Sequence, residues 1–132
     1  MNADVSSADY NDVKELLLIE GLRDWIQLAE IHSHFAFDHF TPKRSAAEAQ
    51  QLTVELIREF VQEGLFVLGQ PDNKRPSGFD PWAVPLDEAM AEIEHRYMAN
   101  FDDRRNWQTW AWLALTEEGK ALALQLYHAD DV

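Results

Sequence analysis

Cysteine is absent from this chain of 132 residues, which excludes disulfides, thiolate metal sites and cysteine nucleophiles. Glycine is scarce, with five residues, and none belongs to a glycine-rich loop of the kind that cradles phosphate groups. The longest apolar runs, such as ELLLIEGL, are far shorter than a membrane span, and the acidic N-terminus MNADVSSADYND is unlike a secretory leader. We therefore expect a cytoplasmic protein that does not cross a membrane.

Basic residues are also few, because 11 Lys and Arg stand against 24 Asp and Glu and give a formal net charge of −13 at pH 7. This excess of negative charge repels the phosphates of nucleic acid and attracts basic partners. The hydrophobic fraction of 46% and the length are those of one domain with a buried core. We expect this domain to span residues 9–128, between flexible polar tails at 1–8 and 129–132.

Helical spacing of apolar residues dominates the chain. A first helix is expected to start at Ala8 or Asp9, to bend near Gly21 and to continue with helical spacing through LRDWIQLAEIHSHFAF. The clearest helix is SAAEAQQLTVELIREFVQEG, where Ser45 and Glu48 fit a capping box and Gly64 fits the C-terminal cap. The apolar stripe of this helix is expected to contain Ala49, Leu52, Leu56, Ile57 and Phe60.

Two strands are expected, LFVLG directly after this long helix and a longer strand over residues 107–115. Alternation along the second strand would place Trp110 and Trp112 on the same face. Between the two strands lie a turn-rich loop and a helix at about 86–99, and a last helix follows Thr116 as its cap. The fold class is therefore α+β, a mostly helical domain with a two-stranded hairpin and an inserted helix.

The stretch LTVELIREFVQEGLFVLG, followed by WLALTEEGKALAL, resembles the winged helix family, and the likeness extends over about residues 20–126. The intervening GFDPWAVPLDEAMAEIEHRY looks like a group of uncharacterised bacterial winged-helix-like proteins with a helix inserted in the wing. The resemblance implies that the long helix runs into the first wing strand and that an LT–E–G turn starts the final helix. Winged helices bind DNA, but the same scaffold also binds proteins, so both functions stay open.

A winged helix that binds DNA would present the exposed face of the long helix to the major groove. That face carries three acids, Glu48, Glu55 and Glu59, and one base, so it repels phosphates. A DNA-binding regulator acting as a dimer remains the alternative function. The bases available to it are Lys43, Arg44, Arg58, Lys74, Arg75, Arg104 and Arg105.

The segment EIHSHFAFDHF gathers three histidines and an aspartate, the residue types of a metal or catalytic site. On a helix, His32 and His34 point about 160° apart, and His32 lies about 10 Å from His39 along the axis. We therefore expect no metal ligands here. His32 is expected to lie in the apolar stripe with a hydrogen-bond partner, and His34 to pair with Asp38, although a chain that curls back after His34 would leave a site possible.

No catalytic pattern is present elsewhere, since no pair of acids is marked out by an apolar pocket and no serine has the context of a nucleophile elbow. We expect neither enzymatic activity nor a cofactor.

Tryptophan is abundant, with five residues, and aromatic side chains are favoured anchors at protein interfaces. Either the inserted helix covers Trp110 and Trp112 with Met90, Ile93 and Tyr97, or the two tryptophans form an anchor inside an acidic rim. The expected partner-binding residues are Trp110, Trp112, Asp87, Glu88, Glu92, Glu94, Asp102 and Asp103. The leading hypothesis is a non-enzymatic, acidic protein-binding module, such as an inhibitor or immunity protein that neutralises a basic, nuclease-like toxin.

Overall fold

The computed structural model describes the backbone of residues 2–129 and the side chains of residues 9–129. Helices α1 to α5 and strands β1 to β6 follow one another as α1 Asn2–Glu20, β1 Ile26–Gln27, α2 Leu28–Ala36, β2 Phe37–Asp38, β3 Thr41–Pro42, α3 Ala46–Gln62, β4 Phe66–Pro71, β5 Phe79–Pro81, α4 Leu86–Ile93, β6 Trp112–Leu115 and α5 Glu117–Ala129. A π-helical turn, Glu94–Ala99, continues α4, and a 3-10 turn, Arg104–Asn106, precedes β6. The chain is thus a mixture of helix and sheet, as the α+β expectation requires.

Four strands form one antiparallel sheet in the order β1-β6-β4-β5. The expected pairing of the two longer strands is present, with Phe66 of β4 opposite Leu115 of β6 and Gly69 opposite Trp112. Strands β1 and β5 add an edge on either side, and β2 pairs with β3 in a separate small hairpin. We expected a single two-stranded hairpin, and the structure therefore has more strands than predicted. The additional strands have two or three residues, which is too few to show a periodic pattern in the sequence.

Helix α3 begins and ends where its local chemistry predicts. The Ser45 hydroxyl accepts the backbone N–H of Glu48 at 3.2 Å, and the Glu48 carboxylate accepts that of Ser45 at 3.4 Å, which completes the capping box. Gly64, with a φ of +73°, follows the last turn in the left-handed conformation. The predicted stripe is confirmed, since Ala49, Leu56, Ile57 and Phe60 are buried and Leu52 is half-buried.

The helical spacing expected after Gly21 is broken by a strand. Helix α1 ends at Glu20, residues 21–25 form a turn, and α2 begins only at Leu28. The reason is tertiary, because Ile26 pairs with Leu113 and thereby completes the sheet edge. Gly21 allows the close approach of the turn to the sheet, since a Cβ there would lie 2.9 Å from the side chain of Leu115.

The strand expected over residues 107–115 is also shorter than predicted. Only Trp112–Leu115 is extended, and residues 107–110 form a turn. Trp107 is drawn into the core, where it is 2% exposed, its ring centroid lies 4.8 Å from that of Tyr97, and its indole N–H donates to the Phe101 carbonyl at 2.8 Å. Burial of this large ring outweighs extension of the strand. Trp110 and Trp112 therefore do not share one strand face.

The ends of the chain differ from the expected tails. Helix α1 starts at Asn2, inside the segment 1–8, which holds neither proline nor glycine to stop a helix. Helix α5 reaches Ala129. Met1 and residues 130–132 lie outside the described part of the chain.

Helices α1 to α5 pack with the sheet around one cluster of buried side chains. Thr116 links sheet and last helix as predicted, because its hydroxyl accepts the N–H of Gly119 at 3.0 Å and donates to the Gly64 carbonyl. Among the described helices, none has the length and apolar character needed to cross a membrane.

Candidate functional site

The outward face of α3 is acidic and partly covered by α1. Glu59 accepts hydrogen bonds from the Tyr10 hydroxyl at 3.1 Å and from the Lys14 ammonium, which also contacts Glu63 at 2.8 Å. Burial and the Glu59 charge raise the pKa of Tyr10 above its ordinary value, so its hydroxyl stays a donor. The one base of the face, Arg58, lies 3.0 Å from an Asp87 oxygen on α4.

Most bases assigned to the DNA-binding alternative are paired with acids. Lys43 and Arg44 contact the Asp9 carboxylate at 3.3 and 2.6 Å, and Arg75 contacts Asp80 at 2.8 Å. Three further bases, Lys74, Arg104 and Arg105, are exposed and form no ion pair within residues 9–129. They lie on two separate turns, Lys74 between β4 and β5 and the two arginines in the 3-10 turn.

His32 lies where the sequence places it. It is 8% exposed, and its Nδ1 forms a short hydrogen bond with the Tyr97 hydroxyl. The rings of Phe101 and Trp107 lie 5.1 and 6.0 Å away. Burial, followed by the nearby Arg104 charge, lowers the pKa of His32, so the ring is neutral at pH 7. The prediction of a core histidine with a polar partner is confirmed.

The expected pairing of His34 with Asp38 is wrong. Helix α2 ends at Ala36, so Asp38 lies on β2 and the one-turn spacing no longer brings the two side chains together. The Nε2 atom of His34 is instead 3.8 Å from a Glu20 oxygen, and Asp38 is 3.7 Å from His39. The three histidines and Asp38 therefore do not converge on one point, because His32 contacts Tyr97, His34 lies near Glu20, and Asp38 and His39 lie near each other.

The segment ends in a two-residue turn between β2 and β3. His39 and Phe40 have positive φ angles of 49° and 74°, a conformation that costs roughly 1–2 kcal/mol for a residue with a side chain. Phe40 is 97% exposed. Sequence reasoning missed this feature, because turns of this kind usually carry Asn-Gly.

Trp82, in the loop between β5 and α4, forms an aromatic pair with Trp110, which precedes β6. The ring centroids of Trp82 and Trp110 are 4.8 Å apart, and the Arg96 guanidinium lies 4.3 Å from the ring centroid of Trp110. Trp82 is fixed by its backbone N–H, which donates to the Leu68 carbonyl at 2.9 Å and prolongs the pairing of β4 with β5. Trp110 is thus covered by Trp82 and Arg96.

The three residues that were one expected cover for Trp110 and Trp112 have a different role. Met90, Ile93 and Tyr97 are buried in the core. Tyr97 packs on Trp107. Because these three side chains are buried in the core, the opposite side of α4 remains available to line the Trp82–Trp110 pair.

Around this pair lies an open cleft of about 620 Å³, which we name the α4 cleft. Its lining combines apolar groups with three acids and one base, and consists of Arg75, Asp80, Pro81, Trp82, Ala83, Val84, Glu88, Ala89, Glu92 and Trp110. Asp80 is paired with Arg75, and Glu92 lies 3.5 Å from Arg96. Glu88 is exposed and forms no ion pair with any residue whose side chain is described.

Of the expected partner-binding residues, the structure gathers Trp110, Glu88 and Glu92 in the α4 cleft. Trp112 lies apart, in a cleft with Trp25, and its indole N–H donates to the Thr109 carbonyl at 2.9 Å. Asp87 points to Arg58, and three further acids, Glu94, Asp102 and Asp103, are exposed outside the lining.

Trp82 is the member of this cleft that sequence reasoning missed. It lies in DPWAVP, which has no period of its own. The only available signal was a large aromatic residue between prolines at the entrance to a helix.

Comparisons with models of known protein families, with curated proteins and with solved structures return no match.

Proposed function

We propose that this chain is a non-enzymatic, acidic winged-helix module that binds a basic segment of another protein in the α4 cleft. The order of elements supports the winged-helix assignment. Strand β1 lies between α1 and α2, the long α3 runs into β4, and β1, β6 and β4 are neighbours in the sheet. Strand β5 and α4 are then an insertion between the two wing strands.

The observation that carries the proposal is the Trp82–Trp110 pair beside unneutralised carboxylate. The face of a tryptophan attracts Lys or Arg within about 6 Å of its ring centroid. Arg96 already occupies such a position on Trp110. A cation from a partner that entered the cleft would meet aromatic surface together with the carboxylate of Glu88.

Long-range charge supports the same class of partner. The net charge of −13 accelerates the approach of a basic protein and slows that of nucleic acid. On α3 the acids face outward and Arg58 is engaged with Asp87, which disfavours contact with phosphates. An inhibitor or immunity protein that neutralises a basic, nuclease-like toxin fits this pattern, because its acids would compete with nucleic acid for the toxin's basic groove.

The test uses a short peptide of alternating arginine and serine as the probe, with a citrulline peptide of the same shape as its uncharged counterpart. We expect the arginine peptide to bind and to quench tryptophan fluorescence, and the citrulline peptide to leave it unchanged. Changing Glu88→Gln together with Glu92→Gln, or Trp82→Leu alone, should weaken binding about fivefold, since each removes about 1 kcal/mol of cation–π or ion-pair energy.

The matched control is Glu117→Gln with Glu118→Gln, which removes the same charge from an exposed turn of α5. Equal weakening by both double variants would mean that only net charge is sensed, and the α4 cleft would lose its role. Binding to duplex DNA at low salt, with affinity that falls steeply as salt rises, would instead support the dimeric DNA-binding regulator.

A further inference from the structure

Three side chains from α1 and α2 meet at the junction of these helices. Glu20 is the last residue of α1, and Glu30 and His34 are one turn apart on the same side of α2. One carboxylate oxygen from each glutamate and one ring nitrogen of His34 all lie within 4.8 Å of one another. The His34 Nε2 atom is 3.8 Å from Glu20, too far for a direct hydrogen bond.

We propose that Glu20, Glu30 and His34 form a binding site for one divalent transition-metal ion, for which Zn²⁺ is the best match. Zn²⁺ is bound by histidine nitrogen and carboxylate oxygen at roughly 2.0–2.2 Å. Tetrahedral ligands at that distance are about 3.4 Å apart, so atoms that lie within 4.8 Å of one another need to approach by at most about 1.4 Å. Side-chain rotation alone can supply such a contraction.

The donor set selects the class of ion. Imidazole suits Zn²⁺ and its transition-metal neighbours, whereas Mg²⁺ and Ca²⁺ favour sites built from oxygen alone. The two carboxylates also balance the two positive charges of the ion. Three protein ligands leave a fourth position for water, as in open zinc sites.

The surroundings favour a defined site over a chance group of acids. All three ligands stand on helices, and the turn between those helices is held by the pairing of Ile26 with Leu113. The side chains of Glu20 and His34 are 28% and 29% exposed, so an ion can enter from water.

The site differs from every metal site that the histidine segment alone could suggest. The Nδ1 atom of His32 is hydrogen-bonded to the Tyr97 hydroxyl, and His39 is exposed in the hairpin turn. His34 has one partner inside the segment, Glu30 one turn earlier on α2, and one partner outside it, Glu20 on α1. Within residues 9–129, this is the one group of three potential ligands whose atoms come so close.

The experiment is calorimetric titration of metal-free protein with Zn²⁺ alone, repeated with Co²⁺, whose visible absorption reports the coordination. We expect saturation at one equivalent. Each of the variants Glu20→Gln, Glu30→Gln and His34→Gln should weaken binding at least about tenfold. The matched controls His39→Gln and Glu15→Gln, which change exposed residues of the same types, should bind as the parent does.

A thermal melt of each variant in chelator first verifies that it is folded, and a second melt with Zn²⁺ should raise the midpoint of the parent and the controls only. Absence of Zn²⁺ uptake by the folded parent overturns the proposal. So does an uptake that His39→Gln lowers as much as His34→Gln does, because the ion would then bind exposed histidine.

Discussion

At the scale of single residues, the junction of α1 and α2 concentrates negative charge. Burial raises the pKa of Glu30 to about 7, and a hydrogen bond with Glu20 and the charges of Glu20 and Asp24 add to the effect. The carboxyl group of Glu30 therefore holds its proton more tightly in the folded chain than in the unfolded chain, where a value of 4.5 applies. Its stabilising contribution is full below pH 4.5 and is lost as the pH rises through about 7.

Glu30→Gln tests this linkage, because the amide stays neutral at every pH. With chelator present, we expect the free energy of unfolding of the variant to exceed that of the parent by about 1 kcal/mol at pH 8, a figure reduced for the partial exposure of the side chain. At pH 5, close to the unfolded-state value of 4.5, most of this advantage should be gone. Urea denaturation at both pH values measures the difference, with the exposed Glu15→Gln as control. A difference in unfolding free energy between variant and parent that is the same at pH 5 and pH 8 would contradict the raised pKa of Glu30.

At the scale of elements, α3 and the β2–β3 hairpin show two ways of fixing a local structure. Helix α3 carries its own start and stop signals in Ser45, Glu48 and Gly64, so local chemistry alone fixes its bounds. The hairpin pairs Phe37 with Pro42 around a turn that its residues do not favour. Its base is closed by the backbone N–H groups of Lys43 and Arg44, which donate to the Ala36 carbonyl at 2.8 and 3.4 Å.

Phe40→Gly should raise the free energy of unfolding by about 1 kcal/mol, since glycine adopts a positive φ without steric cost. Phe40 is almost fully exposed, so little buried area is lost with the ring. Phe37→Gly is the matched control, because Phe37 has an extended φ of −130° and glycine should destabilise the chain there. Chemical denaturation checks both variants. A loss of stability in Phe40→Gly would mean that the ring makes contacts that outweigh the strain.

At the scale of the whole molecule, repulsion among 24 acids opposes the compact state. Ion pairs such as Lys14 with Glu63 and Arg44 with Asp9 relieve part of it. Surface pairs of this kind contribute little individually. At low salt, repulsion among the acids should therefore outweigh the stabilisation that these ion pairs provide.

We expect the melting temperature in chelator to rise as NaCl increases from low salt to about 0.5 M, because the Debye length falls well below about 10 Å. Each kcal/mol gained corresponds to about 3 °C in a chain of this size. Differential scanning calorimetry at several salt concentrations measures the trend. A melting temperature that falls with salt would show that the ion pairs dominate.

The sequence by itself determined the features that depend on neighbours along the chain. Capping residues and apolar spacing placed α3, the inserted α4 and α5, and the excess of acids fixed the sign of the surface charge. The burial of His32 was also predictable, because it follows the apolar stripe.

Only the tertiary structure decided which distant residues meet. It turned 107–110 inward to bury Trp107, paired Ile26 with Leu113, placed Trp82 on Trp110, and brought His34 to Glu20. Each of these contacts joins segments whose separation along the chain carries no periodic signal. They form because burying large rings and pairing strand edges lowers the free energy of the whole fold more than local propensity does.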